Sequence, residues 1–282
     1  MGPVDILAAI PADKAALYQQ QLSLVRDFRV RTVADIQQVF TALADLNQHT
    51  DVLVLDISLG AVYDFIDDLR HSYPRLFIVT VDEDADFGTP GYADELSTAP
   101  FVDNDLVRRI TRLMSDRQME TLRADSLPAV RSLAKELRAA IGQSGKEQTA
   151  VNAIRAGGFD YVALYRLEDE ATLRLTLRAQ AGPKPVEAIA PRSATPDDLM
   201  TWVCQKGQSR ITVPTDTPNH PLVARGRLGT AACVPMLFSG QRFGVIVACN
   251  DRPGSITQDN VMMVELVAAQ TAAAISKELT GN

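Results

Sequence analysis

Residues 51–60 read DVLVLDISLG. Four consecutive aliphatic side chains, Val52 to Leu55, precede Asp56, and Gly60 closes the loop that follows. A short unbroken apolar run suits a strand buried on both faces, as in a parallel sheet. In open α/β sheets chemistry gathers outside the carboxyl ends of the strands. Asp56 stands at such an end, so the first functional question is what its carboxylate does.

The flanking sequence extends the same pattern. Upstream, VDILAA (4–9) reads as a strand. A helix over 12–24 carries Ala15, Leu17, Leu22 and Leu24, a short strand covers 28–33, and a helix over 35–46 lines Ile36, Val39, Phe40 and Leu43 along one stripe. Downstream, a helix over 62–73 is ended by Pro74, LFIVTV (76–81) is a fourth strand, and a weak fifth segment lies at 95–98. A helix beginning near Asp103 follows, with Leu106, Ile110 and Leu113 at helical spacing. Strands alternating with helices imply right-handed crossovers onto a parallel sheet, an α/β fold of flavodoxin-like type.

With Asp56 after the third strand, Thr80 ending the fourth, and DELSTAPF (94–101) supplying a fifth strand and a following proline, this segment resembles a response-regulator receiver domain. The resemblance implies Asp56 as phosphoacceptor and Thr80 as the hydroxyl that senses the phosphoryl group. Two departures mark it as degenerate, a pseudo-receiver. The acidic pair that holds magnesium after the first strand is replaced by Ile10 and Pro11, and the lysine before the proline by Ala99. Phosphoryl transfer needs cations to neutralise developing charge, and each lost electrostatic group costs about 3–4 kcal/mol of barrier. Asp56 is therefore expected to lack both a metal site and a counter-charge, and to be satisfied by loop amides. A phosphorylatable regulator using Asp56 is the alternative. The acidic run Asp82, Glu83, Asp84 and Asp86 reads as a solvated loop in preference to a metal site.

The middle of the chain is helical. Leu106, Ile110 and Leu113 fit an a/d seam that Arg117 interrupts. Ser126 is a candidate cap for a helix over 127–141, which carries Val130, Leu133, Leu137 and Ile141 on one face and is ended by Gly142 and Gly145. These stripes could pack on their own domains or against a second copy of the chain, and a homodimer pairing through them and the later helices is expected.

The second half changes period. After a helix over 147–156, FDYVALYRLEDEATLRLTLRAQAG (159–182) alternates as an antiparallel hairpin turning at 168–170. A Pro-rich loop is expected over 183–196, then a helix over 197–206 capped by Thr195 or Asp197, a strand over 210–213 and a polar loop over 216–229. AACVPMLF (231–238) and FGVIVAC (243–249) form a hairpin through SGQR, and 259–279 is a long helix. The strand FDYVALYRLED, the segment TWVCQKGQSRIT, the hairpin VPMLFSGQRFGVIVACN and the helix TQDNVMMVELVAAQTAAAI resemble a GAF domain over about residues 127–282. That implies an α+β domain with an antiparallel sheet and a small-molecule pocket over one face.

Candidate pocket residues are Tyr161, Trp202, Cys204, Thr212, Asp216 and His220. Trp202 also suits plain packing, and His220, between Asn219 and Pro221, an exposed loop. The ligand stays unknown. No Cys-His pair occurs, which argues against a covalent bilin. Only fragments of the cyclic-nucleotide pattern survive, at Asn250, Asp251, Ile256, Asp259 and Asn260, which argues against cyclic GMP. Some GAF proteins reduce methionine sulfoxide through reactive thiols. Cys204, Cys233 and Cys249 lack that arrangement, so a thiol reductase is the remote alternative. No P-loop, GxSxG or His cluster points to other catalysis or to a metal.

Charge is unevenly spread. Residues 1–102 hold 16 acids and 6 bases, residues 103–146 hold 6 and 9, and residues 147–282 hold 13 of each. The acidic first part argues against nucleic acid as a partner. No apolar run is long enough to span a bilayer, and MGPVDILAAIPADK lacks a basic signal-peptide start, so a cytoplasmic protein with reduced thiols is expected. The expected organisation is a receiver-like domain at 1–115, a helical linker at 116–145 and a GAF domain at 146–282. The expected function is that of a non-catalytic signal-transduction regulator of two-component type. It would act as a homodimer and through a signalling partner such as a histidine kinase. No output domain is legible, so partner binding, or a further domain of a longer protein, would carry the signal.

Overall fold

A computed structural model describes residues 3–85, 93–125 and 128–280, with backbone alone at 120–125 and 128–131. Asp86, Ser126 and Leu127 lie outside the described residues, as does the side chain of Val130. The chain divides into two units, Met1–Arg70 with Arg75–Glu120, and His71–Pro74 with Thr121–Asn282.

Unit 1 is built from β1 (Val4–Ala9), α1 (Ala12–Ser23), β2 (Phe28–Val33), α2 (Ile36–Ala44), β3 (Val52–Asp56), α3 (Val62–Ser72), β4 (Phe77–Val81), β5 (Glu95–Ser97) and α4 (Asp105–Asp125). Its sheet is parallel throughout, in the order β2-β1-β3-β4-β5. All five residues of β3 are buried, as an unbroken aliphatic strand in a two-sided sheet requires. One face packs Ile6, Ala8, Val54, Val79 and Val81 against Tyr18 and Leu22 of α1 and Leu106 and Ile110 of α4. The Leu106–Ile110–Leu113 stripe is thus used inside unit 1. Asp35 caps α2, its carboxylate accepting from the Gln38 amide at 2.8 Å.

Unit 2 runs α5 (Pro128–Ala139), α6 (Gly142–Ala156), β6 (Tyr161–Asp169), β7 (Arg174–Ala181), α7 (Lys184–Ile189), α8 (Leu199–Lys206), β8 (Arg210–Thr212), α9 (Pro221–Ala224), β9 (Thr230–Phe238), β10 (Gln241–Asn250) and α10 (Gln258–Thr280). Its sheet is antiparallel, in the order β7-β6-β10-β9-β8. Val162, Leu164, Val234, Ile246 and Ala248 pack against α5, α6 and α10 in one core. Leu133 and Leu137 of α5 belong to that core, so the expected linker helix is an integral layer of unit 2.

Several expected boundaries move. Gly142 opens α6 instead of ending the helix before it, and Gly145 lies inside it. The β6–β7 turn falls at 170–173, because β6 continues to Asp169. The expected loops over 183–196 and 216–229 contain α7 and α9, both of which carry a proline in the first turn, where the missing N–H costs nothing. Asp198, and neither Thr195 nor Asp197, caps α8, accepting from the Thr201 amide at 3.1 Å. β9 and β10 join through Ser239 and Gly240, both at positive φ (51° and 76°), as a two-residue hairpin turn needs. Among the described residues no helix is long and apolar enough to cross a membrane.

Candidate functional site

In unit 1 the order of strands reverses between β1 and β3, the position where open α/β sheets gather ligands at their carboxyl ends. Asp56 closes β3 there and is buried. Its Oδ1 accepts from the Ser58 amide at 2.9 Å and the Ser58 hydroxyl at 2.6 Å, turning the chain into a short 3-10 segment over Ile57–Leu59. The expected loop-amide partner is therefore present. Its Oδ2 is buried and has no hydrogen bond among the described residues.

The expectation that Asp56 lacks a counter-charge is overturned. Lys14, on the first turn of α1, places its Nζ 3.6 Å from Asp56 Oδ2 and 2.9 Å from Glu83 Oε1. The two carboxylates together hold its ammonium above the usual lysine range, the hydrogen bond from Glu83 contributing most. Glu83, read as part of a solvated run, is thus recruited. Thr80 is not turned to Asp56. The ladder pairs Thr80 with Leu55 and Asp56 with Val81, and successive side chains alternate between faces. The Thr80 hydroxyl instead donates to the Glu95 carbonyl at 3.2 Å. Glu95 in turn holds Arg109 at 2.7 Å and also pairs with Arg112, while Asp105 takes Ser97 at 2.8 Å and Arg109 at 2.7 Å. This network ties α4 to β5.

In unit 2 the residues alternating with the helix-packed set face the other side of the sheet. They are Tyr161, Ala163 and Tyr165 on β6, Cys233 on β9, and Val245, Val247 and Cys249 on β10, and every one is closed to solvent. α8 packs over β9 and β10 on that side. The Tyr161 hydroxyl donates to Gln180 Oε1 and the Tyr165 hydroxyl to the Pro191 carbonyl, each at 2.9 Å. Burial pushes both phenols well up. Thr212 is buried, and its carbonyl accepts the Thr230 hydroxyl at 2.9 Å. Asp216 organises its own loop, accepting from the Val213 amide at 2.9 Å, and remains half-exposed.

Trp202 and Cys204 do not converge. Two residues apart on α8, they point about 200° from each other. The Trp202 ring meets the Arg210 and Lys206 cations at 5.2 and 5.6 Å, whereas Cys204 lies toward Arg242 and Glu170. His220 is not the exposed loop residue that its neighbours suggested: it is fully buried and caps α9. Its Nδ1 accepts from the Leu222 amide at 3.4 Å, which leaves the ring proton on Nε2, and Nε2 has no hydrogen-bond partner among the described residues. Burial drives its pKa down to about 3, so the ring is neutral. Tyr165 and Gln180 were missed at first, although Tyr165 follows Tyr161 by four residues and so shares its face. Two clefts open elsewhere in unit 2: one of about 430 Å³ between Arg166, Arg242, Phe243 and Leu279, and one of about 370 Å³ between Leu173, Arg174, Thr195 and Gln205. None of the six candidate residues lines either one.

Among the described residues no three His, Cys, Asp or Glu side chains converge as a metal site. Unit 1 fits the receiver-type magnesium site poorly. Ile10 is buried in the apolar core, Pro11 caps α1, and the oxygen of Asp56 left free by Ser58 faces an ammonium group.

Residues 148–276 match the GAF domain family model. The fold of this unit is similar to the GAF domain of a phosphoenolpyruvate-protein phosphotransferase from Acinetobacter (19% identity, TM-score 0.46, covering 55% of this chain and 95% of that one). It is likewise similar to the corresponding domain from Coxiella burnetii (17%, 0.46, 58% and 97%). Free methionine-R-sulfoxide reductase from Neisseria meningitidis in complex with its substrate is a further similar structure (13%, 0.48, 55% and 90%). No curated protein matches the chain. Unit 2 has its helical layer on one face of the antiparallel sheet and α8 on the other, and the match to the GAF domain family model falls within it, at residues 148–276.

Proposed function

We propose that the chain is a non-catalytic signal-transduction regulator. Unit 1 acts as a receiver-like protein-interaction module that works without phosphoryl transfer, and unit 2 as a GAF domain that senses a small molecule and holds two copies together. The observation that carries this reading is the GAF match over residues 148–276, on a sheet whose second face carries the buried hydroxyls of Tyr161 and Tyr165. The buried thiols speak for a role other than reductase chemistry, since a thiolate is the reactive form. Ile141 and Leu279, 92% and 64% exposed on the helical side of unit 2, support pairing with a second copy. The acidic first unit favours a protein partner, such as a histidine kinase, over nucleic acid.

Native mass spectrometry of the purified protein tests this reading by reporting subunit count and retained ligand together. A dimer carrying a defined extra mass is the expected result. A ligand-free monomer would overturn the sensing and pairing roles. Incubation with acetyl phosphate and magnesium tests the rival. Gain of one phosphoryl mass, lost in Asp56→Asn, would replace this reading of unit 1 with a working phosphoacceptor.

A further inference from the structure

The surroundings of Asp56 disagree with a metal-dependent site, and that disagreement has its own physical content. We propose that Lys14 is a tethered cation which takes the place of a dissociable divalent ion beside Asp56, so that unit 1 excludes such ions and its acid pocket is balanced without them.

Three independent features carry this. The first is the donor set. Ser58 engages Oδ1 of Asp56 through an amide and a hydroxyl, and Oδ2, buried and without a hydrogen bond among the described residues, lies 3.6 Å from the Lys14 ammonium. A divalent ion seeks several oxygens at close range, and here it would have to displace a like charge to reach one. The second is a further acid. Lys14 donates to Glu83 Oε1 at 2.9 Å, so a second carboxylate is drawn onto the same cation. The third is backbone placement. Pro11 caps α1 and its carbonyl accepts the Lys14 amide at 2.9 Å, which sets Lys14 in the first turn of the helix, beside Asp56. A cation there opposes the helix dipole, and two carboxylates offset that. Tyr18, one turn further along the same face, closes the inner side with a buried hydroxyl. Ile10, directed into the apolar core, offers no ligand.

The inference concerns the charge balance of Asp56 alone and holds whichever partner unit 1 has, so its failure is distinct from failure of the function proposed above. Titration of the intact 282-residue chain with Mn²⁺, following free ion by electron paramagnetic resonance, tests it. The wild type is expected to show no saturable site, and Lys14→Met a new one at least about tenfold tighter than any wild-type binding, because Asp56 and Glu83 lose their shared cation. Lys14→Met combined with Asp56→Asn should lose the new site, which separates it from the acidic surface, and Lys14→Arg should behave as wild type. Lys14→Gln substitutes for the methionine variant if circular dichroism shows that variant unfolded. Saturable wild-type binding abolished by Asp56→Asn would overturn the proposal. So would a Lys14 variant, folded, that binds Mn²⁺ no better than wild type.

Discussion

Arg166 on β6 holds the carboxylate of Glu147 on α6 at 3.2 Å, and Glu147 is the fully buried member of the pair. Arg178 approaches the same carboxylate from β7 at 3.8 Å, and Gln143 also accepts from Arg166. Burial raises the Glu147 pKa while the two arginines pull it back. Removing one partner of a buried pair leaves a charge without compensation, which costs more than the pair contributes. Arg166→Met should therefore destabilise unit 2 by about 3 kcal/mol, and Arg166→Met with Glu147→Gln by clearly less. Urea unfolding of both variants reads this directly. A double variant no more stable than the single one would show that Glu147 is not held by charge.

Gly244 sits at the bulge where β10 slips register against β9, with φ at 150°. A Cβ there would lie 2.1 Å from the Tyr165 carbonyl oxygen and 2.9 Å from the Arg166 Cα. Both obstacles are backbone of the neighbouring central strand, which cannot swing aside. Gly244→Ala should cost about 3 kcal/mol. Gly240→Ala, at the open hairpin turn with φ 76° and no heavy atom within 4 Å, should cost about 1 kcal/mol of left-handed strain alone. Equal thermal shifts in the two variants would contradict this.

How much of this was legible in the sequence follows from the range of the interactions. Val52 to Leu55 read as a two-sided strand because periodicity is local, and β1, β3 and β4 followed with it. The alternation through Tyr161 and Tyr165 likewise exposed the antiparallel sheet. The Lys14–Asp56 pair spans 42 residues of sequence and depends on how α1 crosses the sheet, so no local pattern announced it. His220 reads as an exposed loop residue because it stands between Asn219 and Pro221. In fact Asn219 turns its side chains inward, Nδ2 to the Val213 carbonyl at 2.8 Å and Oδ1 to the His220 amide at 2.7 Å. Short helices α7 and α9 read as loops because proline in a local pattern signals a break, whereas in a first turn it starts a helix.

The thiols make a prediction about reactivity. Cys204 is 1% exposed, and burial pushes its pKa up to about 11. Cys233 and Cys249 are raised further, by burial first and by neighbouring groups second. Since the thiolate is the nucleophile, Cys204 should react with a thiol-specific disulfide reagent at pH 8 about a hundredfold slower than an open cysteine, from ionisation alone. The two strand cysteines should not react until the protein unfolds. In denaturant all three should titrate at once. A rapid native reaction at Cys204 would reopen the thiol-based reading of unit 2.

Acid should unfold unit 2 through His220. In the folded state this buried ring keeps a pKa of about 3 against an ordinary 6.5, because burial disfavours the imidazolium. The unfolded chain therefore binds the proton first. The contribution is fully present above pH 6.5 and is lost progressively as pH falls from there toward 3, amounting to about 2 kcal/mol at pH 5. The same group caps α9, so replacing it must preserve an acceptor for the Leu222 amide. Asn is the fitting choice, since its side-chain oxygen caps without titrating. His220→Asn should lower stability at pH 8 yet flatten the loss between pH 6.5 and 5, measured as denaturant midpoints for unit 2 at each pH. If the slope in that window is unchanged in the variant, the acid sensitivity belongs to other groups.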